Sequence, residues 1–412
     1  MTKSVRTLIL IWLGWSIAIL AFQGIVNARY QPNRPDRALM WTPNETARNS
    51  QNGKDFLLEP FMNHQVSWDS EFYVGIAVGG YDDPRITTTT LKDGSTLPLS
   101  YAFFPFYPFT ISLLAAPLGL LGLNPIAAAS LGGVLASLFG TLGAMLALYD
   151  ITRHELGDEG GIRVAYYMLV FPSGFFLAQV YTEGVFLGLA LGSIAFAYRK
   201  QFFWAALLAA LATLTKAVGL LLLVPLFLAW LDAAEWRTLL TRLGESFSAV
   251  VRQHYGLIFL ILPVLAFLFW HFTLGEKAVI VEHEHFGRGL FNWGGMAWGL
   301  DYLIGSFREG SNPQMTTYYA LEVASILLAL TASVFTFRRY PGLPLFGLLA
   351  FTLAVTGSAP QSIIRYVLTV PAVFILLARL GRSAAFDRTW TLLSVLLLAM
   401  QATLFTFDMW VA

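Results

Sequence analysis

The sequence predicts an all-α polytopic membrane protein, and three observations carry that prediction. Of its 412 residues, 56% are hydrophobic and only 12% are charged. The mean hydropathy of +0.62 means that the apolar content exceeds what the core of a soluble domain can bury. Apolar runs recur along the chain, and several are long enough to cross a bilayer as helices. We interpret residues 1–412 as one integral membrane domain, with the bilayer as its first partner.

Charge and cysteine content exclude several other classes of function. The formal net charge is only +1, and the basic residues are scattered among short loops. Because nucleic-acid binding needs basic residues gathered in a patch, no nucleic-acid partner is expected. The chain has no cysteine, so it forms no disulfide, holds no metal by thiolates and runs no redox chemistry through sulfur.

Two polar loops divide the apolar segments. An apolar run at about 7–28 is interpreted as an uncleaved first transmembrane helix with a cytoplasmic N-terminus. A polar loop over about 29–101 follows directly, and a loop of that length is typical of a functional segment. Residues 102–412 form the helical membrane region, which contains a second polar loop at about 275–315. Apolar segments are expected at 102–121, 126–149, 164–180, 185–198, 202–230, 257–274, 316–337, 343–356, 363–380 and 390–410.

Breaks and an amphipathic stretch refine this layout. The run Phe171-Pro172-Ser173-Gly174 interrupts the segment 164–180. Thr215-Lys216 divides the segment 202–230, which predicts two short helices that meet at a lysine. Residues 235–254 are amphipathic, with arginines on one face and apolar side chains on the other, so this stretch is expected to lie along the inner membrane surface.

The orientation of the chain is in conflict at one point. The basic loops at Arg153, Arg199-Lys200 and Arg338-Arg339 favour the cytoplasmic side, which places Lys216 and both polar loops outside. Two full crossings between Ala102 and Tyr149 would instead put Arg153 outside. Because several later basic loops agree on the cytoplasmic side, we expect one of these two segments to be re-entrant or broken. The proline-rich start of the first segment is where an irregular membrane segment is expected.

The stretch from Trp68 to Tyr81 carries the strongest candidate for a catalytic carboxylate. Read as a helix, Trp68, Phe72 and Ile76 fall on one stripe, which predicts a short helix lying on the bilayer surface. If Ser67 caps this helix, Asp69 lies in its first turn, where free backbone amides favour an ionised carboxylate. Asp69 is therefore a candidate general base, and the alternative is that it is only part of the cap.

Two cations lie within apolar runs. Lys216 and Arg365 are costly there unless they are paired, and a lipid phosphate is the partner we favour. The alternative is pairing with Glu183 or with backbone carbonyls. An enzyme that uses a glycosyl phosphate needs one carboxylate to take a proton and cations to hold the departing phosphate.

Other polar and aromatic residues allow two interpretations each. His283 and His285 could face one way from an extended strand and hold a divalent metal with Glu71 or Asp69, or they could belong to a solvated loop, which is the reading we adopt. We expect no required cofactor. Tyr73, Tyr81, Tyr101 and Tyr107 could stack on a sugar or anchor the chain at the membrane interface, and the interfacial reading is the default.

A set of motifs in order along the chain resembles the PIG-V-type mannosyltransferases, a family that includes the GPI mannosyltransferase II. The matching motifs are Trp68-Asp69-Ser70-x-Phe72-Tyr73-x-x-Ile76-Ala77-x-x-Gly80-Tyr81, Phe103-Phe104-Pro105-x-Tyr107-Pro108, Phe171-Pro172-Ser173-x-Phe175-Phe176, Tyr181-Thr182-Glu183-x-x-Phe186, and Ser362-x-x-Arg365-Tyr366 leading into Pro371. The resemblance implies a GT-C fold with about 11–13 transmembrane or re-entrant helices. It also implies an inverting mannosyltransferase that uses a polyprenyl-phosphate donor.

The same resemblance assigns roles to particular residues. It implies that Asp69, in the first extracytoplasmic loop, is catalytic. Lys216 and Arg365 are the candidates for binding the donor phosphate, and Lys216 stands where the family commonly has arginine. The candidates for substrate binding are Trp68, Tyr73, Tyr81, Tyr107, Tyr181, Glu183 and Tyr366. The implied acceptor is a glycolipid or a glycan, and the implied location is the cell membrane, with an extracytoplasmic active site.

Two rival functions remain open at the level of sequence. In a polytopic transporter or lipid flippase, Lys216, Glu183 and Arg365 would line the substrate path. The long first loop and the lack of an internal repeat argue against that reading. A hydrolase on the same scaffold would release the sugar to water. The sequence carries no signal for the oligomeric state.

Overall fold

The computed structural model describes residues 2–234, 255–359 and 361–411. The predicted amphipathic stretch 235–254 lies outside the described residues. In chain order the helices of the first half are α1 (Lys3–Arg29), α2 (Thr42–Glu45), α3 (Asp55–Leu58), α4 (Ser70–Gly79), α5 (Phe106–Leu118), α6 (Pro125–Val170), α7 (Glu183–Tyr198), α8 (Phe202–Thr213) and α9 (Leu223–Ala233). Those of the second half are α10 (Ile261–Trp270), α11 (Glu276–Glu284), α12 (Trp293–Glu309), α13 (Pro313–Phe337), α14 (Gly342–Thr356), α15 (Ile363–Tyr366), α16 (Pro371–Leu380) and α17 (Ala384–Thr406).

The apolar helices confirm the prediction of an all-α polytopic membrane protein. Among the described residues, five helical stretches are long and apolar enough to cross a bilayer, and a sixth joins Ile363–Thr369 to Pro371–Leu380 through an 82° bend. Five shorter apolar helices pack among them. These short helices are partial spans that meet at breaks, and such backbone is stable at membrane depth only where protein surrounds it.

The predicted breaks occur where the sequence places them. Helix α6 is itself bent at Gly157, whose φ of +73° a side chain would strain, and it ends at Val170. The stretch that follows contains a short 3₁₀ helix at Gly174–Ala178 before α7 begins at Glu183. Helix α8 ends at Thr213, and a 3₁₀ helix at Ala217–Leu222 leads into α9, so the two segments do meet at Lys216.

Helix α5 bears on the conflict over orientation. It has 13 residues, about 20 Å of helix, which is too short to cross a hydrocarbon core of about 30 Å. The turn after it returns to the first loop, because Asn124 Nδ2 donates to Glu59 Oε2 at 2.8 Å. Because α5 starts directly after the first loop and the turn that ends it contacts the same loop, these observations favour a re-entrant α5, with the crossing made by α6.

The basic loops gather at the other end of the molecule. Arg199 Nε donates to Asp150 at 2.9 Å, and Arg379 Nη2 donates to Glu155 at 2.8 Å. Near the N-terminus, Ser4 Oγ donates to Asp158 at 3.0 Å. These contacts bring the bend of α6, the first residues of α1 and the basic loops after α7 and α16 to one end, as the later loops predict.

The first polar loop differs from the prediction of a helix lying on the membrane. It carries a two-stranded antiparallel sheet, β1 (Thr88–Thr90) with β2 (Thr96–Pro98), in which Thr89 pairs with Leu97. Helix α4 is buried over most of its length, and Phe72 stacks on Phe103 with ring centroids 4.7 Å apart. Ser67 does not cap α4, because its hydroxyl donates to Phe405 O at 2.8 Å. Asp69 directly precedes the helix and makes no capping bond.

The second polar loop is more helical than predicted. The helix that contains α10 continues through a π-helical turn at His271–Gly275 into α11 and ends at Glu284. Helix α12 then occupies most of the remaining loop. The alternative in which His283 and His285 face one way from an extended strand does not hold, because His283 lies in the last turn of α11 and His285 directly follows it. Local helical propensity outweighs the polar composition here.

Candidate functional site

Four charged residues meet where four separate chain segments break or begin. Asp69 directly precedes α4, and Glu183 is the first residue of α7. Lys216 lies in the gap after α8, and Arg365 belongs to the short α15 within the bent pair. Each residue thus lies at a helix end, where the backbone turns and side chains from different segments converge.

The four side chains form a continuous ionic cluster. Lys216 Nζ donates to Glu183 Oε1 at 2.6 Å, and Arg365 Nη1 donates to Asp69 Oδ2 at 3.2 Å. Arg365 Nε lies 3.6 Å from the same Glu183 oxygen and links the two pairs. The formal charges of two carboxylates and two cations cancel, which is how a buried cluster offsets the free energy of desolvating its members.

Burial separates the roles of the two carboxylates. The side chain of Glu183 is 2% exposed and that of Arg365 is 7% exposed, so both are enclosed by protein. The side chain of Lys216 is 19% exposed, and that of Asp69 is 33% exposed. Asp69 is thus the carboxylate that a substrate can reach, while Glu183 serves as the fixed partner of both cations.

Aromatic rings surround the guanidinium of Arg365. Its central carbon lies 5.6 Å from the ring of Phe176, 5.4 Å from that of Tyr181 and 5.3 Å from that of Tyr366. Such contacts are attractive for a cation and restrict the rotation of the side chain. The backbone amide of Asp69 donates to the Tyr181 hydroxyl at 3.3 Å, which connects the acidic residue to the same enclosure.

Glu322 of α13 holds the turn that carries Arg365. Glu322 is fully buried, and its Oε2 accepts from the backbone amides of Ile363 at 2.6 Å and Ile364 at 3.3 Å. The Tyr318 hydroxyl, one turn earlier in α13, accepts from the amide of Ser362 at 2.9 Å. Ser362 has a φ of +61°, an unfavourable conformation for serine that these bonds help to hold. Glu322 is therefore a positioning residue for Arg365.

The aromatic residues proposed for substrate binding lie at different distances from this cluster. Tyr73 packs edge-on against Tyr107 and Tyr181, with ring centroids 5.1 and 6.2 Å away. The Tyr107 hydroxyl donates to Gly133 O at 3.1 Å, and its side chain is fully buried. The default reading of Tyr73, Tyr101 and Tyr107 as interfacial anchors is wrong, because all three are buried in protein.

Trp68 and Tyr81 lie on either side of α4. Trp68 belongs to a cluster of three indoles with Trp41 and Trp410, whose ring centroids lie 5.9 and 5.1 Å from it, and its Nε1 donates to Met409 O at 3.2 Å. Tyr81 stacks on Tyr101 at 5.3 Å and donates to Phe103 O at 2.9 Å. Burial raises the pKa of Tyr81, so this hydroxyl stays protonated and acts as a donor.

Among the described residues, the histidine pair forms no metal-binding group with Glu71 or Asp69. His285 Nδ1 lies 3.2 Å from Thr89 Oγ1 of the first loop, and Glu71 accepts from Thr87 Oγ1 at 2.7 Å. Burial raises the pKa of the Glu71 carboxyl. Within residues 2–234, 255–359 and 361–411, no group of three or more histidine, cysteine, aspartate or glutamate residues could hold a metal ion.

Sequence reasoning missed three residues of the site. Glu322 could have been found, because an acidic residue inside an apolar run of 25 helical residues is costly unless it has a role. Arg288, after α11, interacts electrostatically with Tyr366 and Asp69 and adds a third cation, and Glu282 of α11 balances it. Polar residues in a polar loop give no such signal, so Arg288 and Glu282 could not be singled out.

The chain is similar to solved structures of membrane enzymes. It aligns over 96% of its length with ArnT from Cupriavidus metallidurans bound to undecaprenyl phosphate, at 16% identity and a TM-score of 0.47, covering 76% of that protein. It also aligns over 96% of its length with the archaeal oligosaccharyltransferase AglB from Archaeoglobus fulgidus in complex with an inhibitory peptide and a dolichol-phosphate, at 14% identity and a TM-score of 0.40, covering 55% of that protein.

These neighbours are GT-C glycosyltransferases, the fold type that the sequence resemblance implies. No family model and no curated protein matches the chain. Similarity at this level concerns the fold, and the chemistry of the site depends on its own side chains.

Proposed function

We propose that this protein is an inverting glycosyltransferase that transfers mannose from a polyprenyl-phosphate donor to a glycan or glycolipid acceptor. The observation that carries the proposal is the ionic cluster, in which the half-buried Asp69 is joined through Arg365 to the buried Glu183 and Lys216. One reachable carboxylate beside two enclosed cations is the set of groups that transfer from a glycosyl phosphate requires.

The reaction needs one proton acceptor and one anion site. The oxygen of an acceptor hydroxyl attacks the anomeric carbon from the face opposite the phosphate, and Asp69 takes the hydroxyl proton. The bond from the anomeric carbon to the phosphate oxygen breaks, and its electron pair leaves with the polyprenyl phosphate. The anomeric configuration inverts because attack and departure occur on opposite faces. No second carboxylate is needed to activate water, in contrast to a glycoside hydrolase.

Arg365 has spare capacity for the phosphate. Its Nε is buried and has no hydrogen-bond partner among the described residues, and its Nη2 reaches only the Tyr366 hydroxyl, at 3.5 Å. A guanidinium offers five donors, so it can bind a phosphate oxygen while it keeps Glu183. A phosphate that draws Arg365 away from Asp69 would free that carboxylate to accept a proton. Donor binding and activation of the base are thereby coupled.

The sugar and the side of the membrane follow from separate observations. The motifs shared with PIG-V-type mannosyltransferases support mannose as the sugar. The basic loops gather at the end of the molecule opposite Asp69, and basic loops favour the cytoplasm. This supports an active site on the extracytoplasmic face of the cell membrane, where a sugar linked to a polyprenyl phosphate is presented.

The test is transfer of labelled mannose from synthetic polyprenyl-phosphate-mannose by the full chain in detergent. Asp69→Asn should lower turnover by a factor on the order of 10² or more, because the amide fills the same space but cannot take a proton. Asp93→Asn is the matched control, since Asp93 is an exposed carboxylate of the same loop that accepts hydrogen bonds from Ser95 and lies outside the ionic cluster. Near-normal turnover by Asp69→Asn would remove the assigned base. Turnover in detergent also separates a transferase from a transporter, which needs a sealed bilayer.

A further inference from the structure

A cavity of about 340 Å³ lies between α12 and the start of α13, outside the ionic cluster. Its volume is at the lower end of the range typical of small-molecule sites. Its lining combines two aromatic residues, Trp298 and Tyr302, with the carboxylates of Asp301 and Glu309 and the amide of Asn312.

The cavity occupies one face of an amphipathic helix. Trp298, Tyr302 and Glu309 recur at helical spacing on this face of α12, and the opposite face exposes Leu300 and Phe307. An exposed apolar face on a helix beside membrane spans is stable when it rests in the bilayer interface. The cavity then opens away from the lipid, toward the aqueous phase.

The chemistry of the lining fits a sugar. Trp298 and Tyr302 are stacked at 5.6 Å with only 8° between their planes, and 54% of Trp298 is exposed. A flat aromatic surface packs well against the apolar C–H face of a sugar ring. Ionised carboxylates accept strong hydrogen bonds from hydroxyl groups. In the described part of the chain, no lysine or arginine lines the cavity, so its charge favours neutral or amino sugars over uronic acids or phosphates.

Contacts link the cavity to the turn that carries Arg365 and to the first loop. Tyr302 packs against Tyr319 at 6.2 Å, and Tyr319 packs against Tyr318 at 5.4 Å. Tyr318 binds the turn that carries Arg365. On the other side, Asn312 Nδ2 donates to Arg37 O of the first loop at 2.8 Å. The cavity is thus joined through packed aromatic rings to the turn that carries Arg365, the cation proposed to bind the donor phosphate.

From these observations we infer that the cavity between α12 and α13 is an acceptor subsite, which binds a neutral sugar of the acceptor glycan other than the one that is modified. This inference rests on the proposed function, because it assigns the cavity to the acceptor of that reaction. It identifies the acceptor as one that carries at least two sugar units.

Binding of mannobiose to the full chain in nanodiscs, followed by saturation-transfer NMR, tests the inference. Trp298→Ala should weaken binding at least tenfold, and Asp301→Asn should weaken it severalfold. Leu300→Ala is the matched control, because Leu300 lies on the opposite face of the same helix. Thermal unfolding of each variant shows whether it is folded. A disaccharide that contains a uronic acid should bind more weakly than mannobiose.

The outcomes distinguish this inference from the proposed function. Asp69→Asn should bind mannobiose like the wild type while its transfer activity is lost. If the wild type binds mannobiose but transfers no mannose, the proposed function is refuted and the cavity remains a sugar site. Absence of binding by the wild type, or equal binding by Trp298→Ala, would overturn the inference even if transfer is observed.

Discussion

Replacement of Lys216 by methionine tests whether the ionic cluster is held together as its geometry indicates. Methionine keeps the length and apolar contacts of the side chain but removes the ammonium that lies 2.6 Å from Glu183 Oε1. Removal of one partner from a buried ion pair destabilises a protein by about 3–5 kcal/mol. Because Arg365 Nε remains 3.6 Å from the same oxygen and still compensates part of its charge, we expect a loss at or just below the lower end of that range, about 2–3 kcal/mol.

A double-mutant cycle measures the coupling directly. Glu183→Gln in the Lys216→Met background removes the uncompensated carboxylate, so the double variant should be more stable than the sum of the two single changes predicts. The surface pair of Lys54 with Glu45, 3.4 Å apart, is the matched control, and its disruption should change the free energy of unfolding by less than about 1 kcal/mol.

The measurement is reversible unfolding of the full chain in mixed micelles, with donor KM determined in parallel. The KM should rise in Lys216→Met, because the cation that balances Glu183 is lost and Arg365 is drawn further toward Glu183. Strictly additive effects of the two changes would refute the coupling. An unaltered KM together with lost stability would make Lys216 a structural residue and place the phosphate elsewhere.

Three further predictions address positioning, pH and topology. Glu322→Leu should raise donor KM about tenfold, since hydrogen bonds to a charged group contribute about 1.5–3 kcal/mol. Glu322→Gln keeps an acceptor oxygen, so its donor KM should stay close to that of the wild type. Equal KM values in both variants would contradict the positioning role. Burial raises the pKa of Asp408 to about 6, so folding disfavours its charged form, and Tm should fall as pH rises from about 4 to 6. In Asp408→Asn this fall should be smaller, and an unchanged pH profile would contradict the assignment. Single cysteines at Asn52 and His283 should react with an impermeant maleimide on intact cells while those at Gln201 and Arg338 do not, and the reverse pattern would place Asp69 in the cytoplasm.

The sequence alone determined the membrane character of the chain and the identity of its costly charges. Lys216 and Arg365 stand in apolar runs, where an ionisable group without a partner is unfavourable, so a local pattern was enough to identify them. The same reasoning predicted the break at Lys216, which the structure confirms. Asp69 was singled out by its motif and its polar loop, and its catalytic role stays a prediction.

Only the tertiary structure decided how these charges are paired. Arg365 reaches Asp69 across 296 positions of sequence, and Lys216 takes Glu183 as its partner, the alternative that sequence reasoning had left open. The contact of the turn after α5 with the first loop and the burial of Tyr107 likewise depend on which segments pack together. Periodicity and composition report the preference of each segment for lipid, water or helix, whereas contacts between distant helix ends depend on packing of the whole chain.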